Sequence, residues 1–234
     1  MINEKHDKSN NPPPLLYSAK QNYLSEEVAA NYEKVRFSGA LGRYRFNREH
    51  AAVQRILSGV CCDKSVICDV PCGVGRWWPD LSHKAGQIIG FDISPIMVSS
   101  AQKMIPKLDV PVQISVGDAE NLGVEDDSVD WVFSFALMKH MPIPIQYKVL
   151  QEFSRISRKG VICTFSMFSF ISYPLWRMRS NPHHKGSMLL PETLKHMAKS
   201  ANLNVESILP CTTPIGVEKI VLLRKSMLTD TPPA

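Results

Sequence analysis

The apolar run Val66-Ile67-Cys68 leads directly into Asp69-Val70-Pro71-Cys72-Gly73-Val74-Gly75-Arg76, and a helix-like segment follows at residues 77–84. This succession predicts a turn between a buried strand and a helix. The two glycines let the backbone approach a ligand at a distance where a side chain would collide. Because a carboxylate repels phosphate, the acidic residue in front of the glycines predicts a cationic or hydroxyl-bearing ligand.

Apolar runs alternate with helical segments through the central part of the sequence. The predicted strands are residues 65–70, 87–91, 112–116, 129–135 and 160–165, and the predicted helices are 77–84, 95–107 and 145–157. Buried strands that alternate with helices imply right-handed crossovers and a parallel sheet with helices on both faces. Such sheets bind ligands at the carboxyl ends of their strands, near the switch in strand order.

The end of the sequence follows a different pattern. A predicted helix at 191–201 precedes strand-like segments at 204–209 and 218–223, which the short link Pro214-Ile215-Gly216 separates. A link of this kind is typical of a hairpin. The sequence therefore predicts an α/β fold, a Rossmann-like, doubly wound, seven-stranded and mostly parallel sheet with an antiparallel C-terminal hairpin strand.

Composition divides the chain into a central domain and flanking segments. Residues 1–20 are rich in Asn and Pro and predict a flexible leader, and 21–60 have helical spacing, with a break predicted near 38–42. The main domain is predicted at 61–225 and a flexible tail at 226–234. With 234 residues and 44% hydrophobic content, the chain can bury a full core, which favours one large domain.

The chain is mildly basic, with a formal net charge of +5 and a pI of about 8.9. Lysine and arginine are scattered, whereas a dedicated nucleic-acid-binding protein carries a concentrated basic stripe. The nearest candidate is Arg43 to Arg48, interleaved with Tyr44 and Phe46, and a solvated helix face is the favoured explanation of it. The pattern argues against nucleic acid as a partner.

The spacing of the cysteines and the composition of the N-terminal residues predict the cellular compartment. The six cysteines have no zinc-type CxxC spacing, and several lie in apolar runs, which is typical of buried, reduced thiols. The first residues are polar and lack the apolar core of a signal peptide, and no apolar run reaches membrane-spanning length. We therefore expect a soluble, cytoplasmic protein. His183-His184 lacks a clear third ligand, so no metal site is predicted.

Acidic residues follow the second and third predicted strands. Asp92 comes 17 positions after Gly75, and a carboxylate there can accept both hydroxyls of a ribose. The alternative is that Asp92 or Ser94 caps the next helix. Asp118 could accept a hydrogen bond from an adenine amino group, or it could form an ordinary turn.

The fourth predicted strand ends at Ser134-Phe135, beside the expected reactive end of a bound cofactor. His140 follows it, and its side chain could act as a base for an acceptor proton because the imidazole pKa lies near neutrality. His140 could equally pack under the cofactor or cap a helix.

Together these motifs resemble the class I S-adenosylmethionine-dependent methyltransferases, particularly the small-molecule branch. The resemblance covers about residues 65–165 and extends loosely to 223. Asp69, Gly73 and Gly75 match the family's acidic and glycine-rich motif, whereas Pro71 occupies the position of its first glycine. Proline has no backbone N–H, so one amide contact to the cofactor is lost there. Pro71 and Cys72, which lie within the motif, are expected to contact the cofactor as well.

The resemblance implies S-adenosylmethionine as the cofactor and assigns its contacts. Asp92 and Ile93 would hold the ribose, Asp118 and Ala119 the adenine side, and Ser134 and Phe135 the end of the fourth strand. In the N-terminal helical cap, Tyr32 resembles a tyrosine that folds over the methionine end, where an aromatic face would favour the sulfonium. Core packing of an amphipathic helix is the alternative for Tyr32.

The sequence does not match the motifs of two other kinds of nucleotide-binding site. A dinucleotide site would need the third glycine of GxGxxG at position 78, which is Trp78, and no GxxxxGK[ST] run occurs. S-adenosylmethionine carries a sulfonium and an amino group but no phosphate, so Asp69 suits its methionine portion.

The expected reaction is methyl transfer to an O, N or C nucleophile of a small-molecule acceptor. An acceptor lid is predicted at 167–190, aromatic in its first half and basic in its second. That composition suits an apolar or aromatic acceptor with negative charge, or peripheral contact with a membrane or lipid surface. Alternatively, the aromatic residues pack on the sheet and the basic ones are solvated. A catalytically silent binding or assembly protein of the same fold is the second hypothesis, and Pro71 favours it.

Overall fold

The computed structural model describes residues 39–60, 64–168, 187–213 and 216–226. Within these ranges the helices are α1 (Gly39–Gly59), α2 (Trp78–Ser82), α3 (Pro95–Gln102), α4 (Ile143–Ile156) and α5 (Pro191–Ser200). The strands are β1 (Ser65–Asp69), β2 (Ala85–Asp92), β3 (Val112–Val116), β4 (Val129–Ser134), β5 (Ser157–Ser166), β6 (Leu203–Pro210) and β7 (Glu218–Lys225). Short 3-10 helices lie at Ile105–Lys107 and Met138–His140.

The strands form one seven-stranded sheet with the order β3-β2-β1-β4-β5-β7-β6. Strands β1 to β5 pair in parallel, and β7 runs antiparallel to both β5 and β6. The predicted mixed sheet is therefore confirmed. The chain moves outward from β1 through β2 to β3 and then returns to β4 on the other side of β1, which creates the crevice where such sheets bind ligands.

Strand register brings the predicted site residues to one edge. Asp69, the last residue of β1, pairs with Gly90 of β2 and with Phe133 of β4. Asp92, the last residue of β2, pairs with Val116 at the end of β3. Because these strands are parallel, the loops that follow them lie side by side at the carboxyl edge.

Two apolar layers cover the sheet and explain its apolar sequence. One contains side chains of α4 and α5, such as Phe153 and Met197, and the other contains side chains of α1 and α2, such as Ile56 and Leu81. A sheet covered on both faces buries nearly every side chain of its central strands. This is why β1 and β4 lack the polar alternation of a half-exposed strand.

Boundaries differ from the sequence prediction in a few places. The predicted helix 95–107 divides into α3 and a 3-10 turn, and the predicted helix 77–84 is only Trp78–Ser82. Near the predicted break at 38–42, α1 begins at Gly39 with φ of +74°, and residues 40–42 continue that helix. Short-range patterns locate helices better than they locate helix ends, because caps and tertiary packing set the ends.

Several predictions fall wholly or partly outside the described residues: the leader, most of the N-terminal cap including Tyr32, Cys61 and Cys62, most of the proposed lid, and two residues of the hairpin link. The four described cysteines are buried and free, as predicted. None of the helices in the described part of the chain is long and apolar enough to cross a membrane.

Candidate functional site

The glycine loop after β1 is open at Gly73. Gly73 and Gly75 have φ values of +55° and +77°, which side-chain-bearing residues adopt only with strain. A Cβ atom added to Gly73 would meet no heavy atom within 4 Å. The loop therefore presents free space beside its backbone, as a ligand cradle requires.

Trp78 fills the space behind the loop. Its side chain is fully buried, and an added Cβ at Gly75 or at Gly90 would lie 2.8 or 2.9 Å from its ring. Both positions must be glycine for the indole to fit between the loop and β2. Residue spacing identified Trp78 only as the residue that breaks a dinucleotide motif, because its packing role depends on the distant Gly90.

Asp69 closes β1 with a buried carboxylate. Its Oδ2 accepts a hydrogen bond from Trp78 Nε1 at 2.9 Å, and its Oδ1 is buried with no hydrogen-bond partner in the described structure. Burial raises the pKa of Asp69 well above its ordinary value; the Trp78 bond opposes this shift and the neighbouring Asp92 charge adds to it. A cationic ligand group would give Oδ1 a partner and favour the ionised carboxylate.

Asp92 joins the glycine loop to the connection between β2 and α3. Its Oδ2 accepts a hydrogen bond from the N–H of Gly73 and its Oδ1 one from the N–H of Ser94, each at 2.9 Å. Burial raises the pKa of Asp92 although both amides oppose the shift. Ser94 caps α3 by accepting from the N–H of Met97 at 3.5 Å. Capping thus belongs to Ser94, and Asp92 positions the loop.

Asp118 lies in a turn after β3, next to buried Ala119. Its Oδ1 accepts a hydrogen bond from the N–H of Glu120 at 3.1 Å, and the N–H of Gly117 donates to the carbonyl of Asp92 at 2.9 Å. The turn considered from the sequence is therefore present. These bonds bring the loops after β2 and β3 together at the same edge.

The exit of β4 has an unusual backbone conformation. Ser134 and Phe135 are buried, and Ala136 follows with φ of +64°. The N–H of Ala136 donates to the Thr164 hydroxyl at 2.6 Å, which holds the turn in place. An alanine at positive φ is uncommon, and such residues cluster at functional sites. No short-range sequence signal marks this turn, because its partner lies 28 residues away.

His140 ends the 3-10 helix that follows this turn. It is half-buried, and its backbone N–H donates to the carbonyl of Leu137 at 3.0 Å. The helix places His140 on the same side of the sheet edge as the β4 exit. Its role as a base stays a prediction.

Aromatic and charged side chains connect α1 to the glycine loop. The Arg76 guanidinium lies 4.3 Å from the Trp77 ring centroid, and Arg76 donates to the fully buried Glu49 at 2.8 Å. The Phe46 and Phe135 rings also face Arg76, at 5.2 and 5.8 Å. The charge pattern of Arg43 to Arg48 predicted a solvated helix face, and it gave no sign that the neighbouring Glu49 is buried.

A mostly apolar cavity of about 10 Å³, with room for about one water molecule, lies beside the β4 exit. It is lined by Phe135, Ala136, Lys139, Thr164, Phe165, Cys211 and Glu218. Lys139 and Glu218 form a half-buried ion pair at its rim, 2.5 Å apart. This pocket lies on the β4 and β5 side of the edge, whereas Asp69, Gly73 and Asp92 lie on the β1 and β2 side.

The residues present fit an adenosyl ligand with a cationic end. The open space at Gly73, the buried unpartnered oxygen of Asp69 and the acidic side chains after β2 and β3 all lie at the carboxyl ends of adjacent strands. Within the described ranges, no group of three or more His, Cys, Asp and Glu side chains is arranged to hold a metal ion.

Comparisons with known proteins identify the same kind of domain. A family model described as Methyltransferase domain matches residues 67–160. The chain is 26% identical over 157 residues to the biotin biosynthesis bifunctional protein BioHC of Cellvibrio japonicus, covering 63% of this chain but only 30% of that protein's length. It is 26% identical over 180 residues to the demethylmenaquinone methyltransferase of Staphylococcus epidermidis, covering 75% of this chain and 70% of the relative.

A similar solved structure is the magnesium protoporphyrin IX methyltransferase ChlM of Synechocystis with bound SAH. It matches with a TM-score of 0.72 at 14% identity, covering 88% of this chain and 97% of that chain. At this identity the likeness concerns the fold. The family model thus identifies a methyltransferase domain over residues 67–160, and the likeness to the solved structure shows its Rossmann-like fold.

Proposed function

We propose that the protein is an S-adenosylmethionine-dependent methyltransferase that acts on a small-molecule acceptor. The observation that carries the proposal is the open glycine loop between two buried carboxylates, Asp69 and Asp92. A phosphate-bearing cofactor would be repelled by these charges, whereas a cofactor with an ammonium, a sulfonium and a ribose is attracted to them.

Each end of the cofactor has a candidate contact in this arrangement. We assign the methionine end to Asp69 and the loop at Pro71 to Gly75. Asp92, with Ile93 beside it, is assigned to the ribose, and its carboxylate keeps lone pairs beyond the two that its backbone donors use. Asp118 and Ala119 are assigned to the adenine.

The cofactor supplies an activated methyl group on a sulfonium, so the protein mainly has to align the acceptor and exclude water. The β4 exit serves this purpose in the proposal. Ser134 and Phe135 end the strand there, and the bond from Ala136 to Thr164 fixes the backbone beyond them. The buried Phe135 ring makes this side of the edge apolar.

The acceptor is proposed to be a small molecule with an apolar or aromatic part. The side chains of Phe135 and Phe165 make the surroundings of the β4 exit apolar, and the ion pair of Lys139 and Glu218 adds charge there. Two of the similar proteins are named for magnesium protoporphyrin IX and for demethylmenaquinone, which are small-molecule acceptors.

His140 is the candidate base for an acceptor that must lose a proton. It follows the β4 exit, and an imidazole titrates near neutrality. A His140→Gln variant should lower kcat with a hydroxyl acceptor at unchanged affinity for S-adenosylhomocysteine. Equal kcat in the two proteins across the pH range would remove this role.

A catalytically silent binding protein with the same fold is the second candidate. Pro71 removes one backbone donor from the loop, and the two oxygens of Asp92 already bond to backbone amides. Both features reduce the number of hydrogen bonds that this loop and Asp92 can make to a cofactor.

Two measurements test the proposed function. Calorimetry with S-adenosylmethionine should detect binding, and a panel of small-molecule, lipid, protein and nucleic-acid acceptors should release S-adenosylhomocysteine with a small molecule. Absence of heat and of a thermal shift at millimolar cofactor would refute both cofactor binding and activity. Binding without turnover on every acceptor would favour the silent protein, and turnover with nucleic acid alone would refute the acceptor class.

A further inference from the structure

Trp78, the first residue of α2, packs tightly against the glycine loop. Its side chain is fully buried, and its ring lies under two glycines, Gly75 and Gly90, at distances that leave no room for a Cβ on either. The indole N–H donates to Asp69 Oδ2 at 2.9 Å. Packing thus fixes the position of the indole N–H, and the hydrogen bond from this N–H fixes the orientation of the Asp69 carboxylate.

The bond to Trp78 leaves the two oxygens of Asp69 unequal. Oδ2 has its partner, whereas Oδ1 is buried and has none in the described structure. A buried acceptor without a partner loses its hydrogen bonds to water and gains none in return, so an orientation that maintains one needs a compensating gain. A positively charged ligand group at Oδ1 would provide that gain.

We propose that Trp78 is a positioning residue for the cofactor: its indole fixes the Asp69 carboxylate so that the unpartnered oxygen receives the ammonium group of the methionine portion. This inference rests on the proposed function. It assigns Trp78 no contact with the cofactor itself and predicts that its effect passes entirely through Asp69.

The ionisation of Asp69 provides an independent readout. Burial raises its pKa, the Trp78 bond lowers it, and Asp92 raises it. The other titratable neighbours, Cys68 and Cys72, have thiol pKa values raised by burial and stay neutral. Loss of the indole N–H should therefore raise the pKa of Asp69 further, and protonation should abolish its attraction for an ammonium group.

The test compares two ligands and two tryptophan variants by calorimetry. The ligands are S-adenosylhomocysteine and its analogue with hydrogen in place of the amino group. Trp78→Phe should weaken S-adenosylhomocysteine binding roughly tenfold, which is about 1.4 kcal/mol, and leave the deaminated analogue within about twofold, because the lost hydrogen bond acts only on the carboxylate that receives the amino group. Trp131→Phe is the matched control, since Trp131 is equally buried and its Nε1 has no hydrogen-bond partner in the described structure.

The pH profile separates positioning from general loosening of the loop. In the wild type, the preference for S-adenosylhomocysteine over its analogue should fall as the pH drops through the pKa of Asp69. In Trp78→Phe the fall should occur at higher pH. Equal losses for both ligands, or an unshifted profile, would overturn the inference and leave the proposed function standing.

A second variant covers the case in which Trp78→Phe does not fold. Benzothienylalanine at position 78 keeps the size of the ring system and replaces the N–H with sulfur, so the packing against Gly75 and Gly90 is preserved. It should reproduce the same selective loss, and a wild-type selectivity in this variant would overturn the inference. If the wild type bound neither ligand, the proposed function itself would fail.

Discussion

The carboxylate of Asp92 accepts a hydrogen bond from the backbone N–H of Gly73 at 2.9 Å and thereby fastens the glycine loop after β1 to the end of β2. Its other oxygen accepts from the N–H of Ser94, also at 2.9 Å. One buried side chain thus sets the relative position of two loops at the ligand edge. The same residue can be structural and still offer remaining lone pairs to a ribose.

Asp92→Ala should destabilise the protein and weaken cofactor binding together. It leaves two backbone donors without their acceptor, which costs about 1–3 kcal/mol for a buried group, and it removes the proposed ribose contact. Urea unfolding and calorimetry with S-adenosylhomocysteine measure the two effects. Asp92→Asn is the matched variant, because its single acceptor oxygen should restore part of the stability. Unchanged stability in Asp92→Ala would contradict the bonding described.

Alanine at Gly73 should act mainly on cofactor binding, whereas alanine at Gly90 should act on stability through packing. At Gly73 the added Cβ meets open space, so the fold should lose only about 1–2 kcal/mol from the positive φ, while the proposed cofactor loses its room. At Gly90 the Cβ lies 2.9 Å from the Trp78 ring, and overpacking should cost about 1–3 kcal/mol. Thermal unfolding combined with S-adenosylhomocysteine titration tests this. A stable Gly73→Ala variant that binds like wild type would place the ligand elsewhere.

The titration of Asp69 should contribute to the pH dependence of the free energy of unfolding. Its pKa is raised by burial in the folded state, so the folded protein binds the proton more tightly than the unfolded chain does. That stabilisation is complete below the unfolded pKa and is lost as the pH rises through the folded pKa. Asp69→Asn should therefore flatten this part of the unfolding free-energy curve. A profile as steep as in the wild type would show that Asp69 does not titrate there.

Thr164→Val should loosen the exit of β4. It removes the hydroxyl that accepts from the N–H of Ala136, and Ala136 at φ +64° depends on that bond. We expect a loss of about 1–2 kcal/mol in urea unfolding. Thr164→Ser keeps the hydroxyl and should stay closer to wild type, and Ala136→Gly should relieve the backbone strain. A loss as large in Thr164→Ser as in Thr164→Val would point to packing of the methyl group instead.

Glu49→Ala should lower the free energy of unfolding strongly. Its carboxylate is fully buried and receives Arg76 at 2.8 Å, and breaking a buried ion pair from one side costs about 3–5 kcal/mol. Glu192→Ala is the surface control, because Glu192 is 80% exposed beside Lys195 and an exposed pair contributes about 0–1 kcal/mol. Chemical unfolding of both variants should show this contrast. Similar small losses would mean that Arg76 is satisfied without Glu49.

Much of the fold was predictable because the central strands are continuous apolar runs between helices. The parallel sheet and the antiparallel C-terminal strand follow from that pattern, and the acidic residues after β1, β2 and β3 were found from their positions at strand ends. The Ala136 turn and the buried Glu49 were missed. Their partners, Thr164 and Arg76, are distant in sequence, and no local pattern reports such pairings.

The amino-acid sequence by itself determined the order of strands and helices, the glycine loop and the acidic residues that follow the strands, since these depend on short-range patterns of apolar, glycine and charged residues. The role of each carboxylate, in contrast, depends on how the folded chain packs around it. Asp69 is turned by the indole of Trp78, and Asp92 is bonded to Gly73 of a neighbouring strand's loop. Hydrogen-bond partners and burial arise when distant segments pack together, so they could not be read from residue spacing.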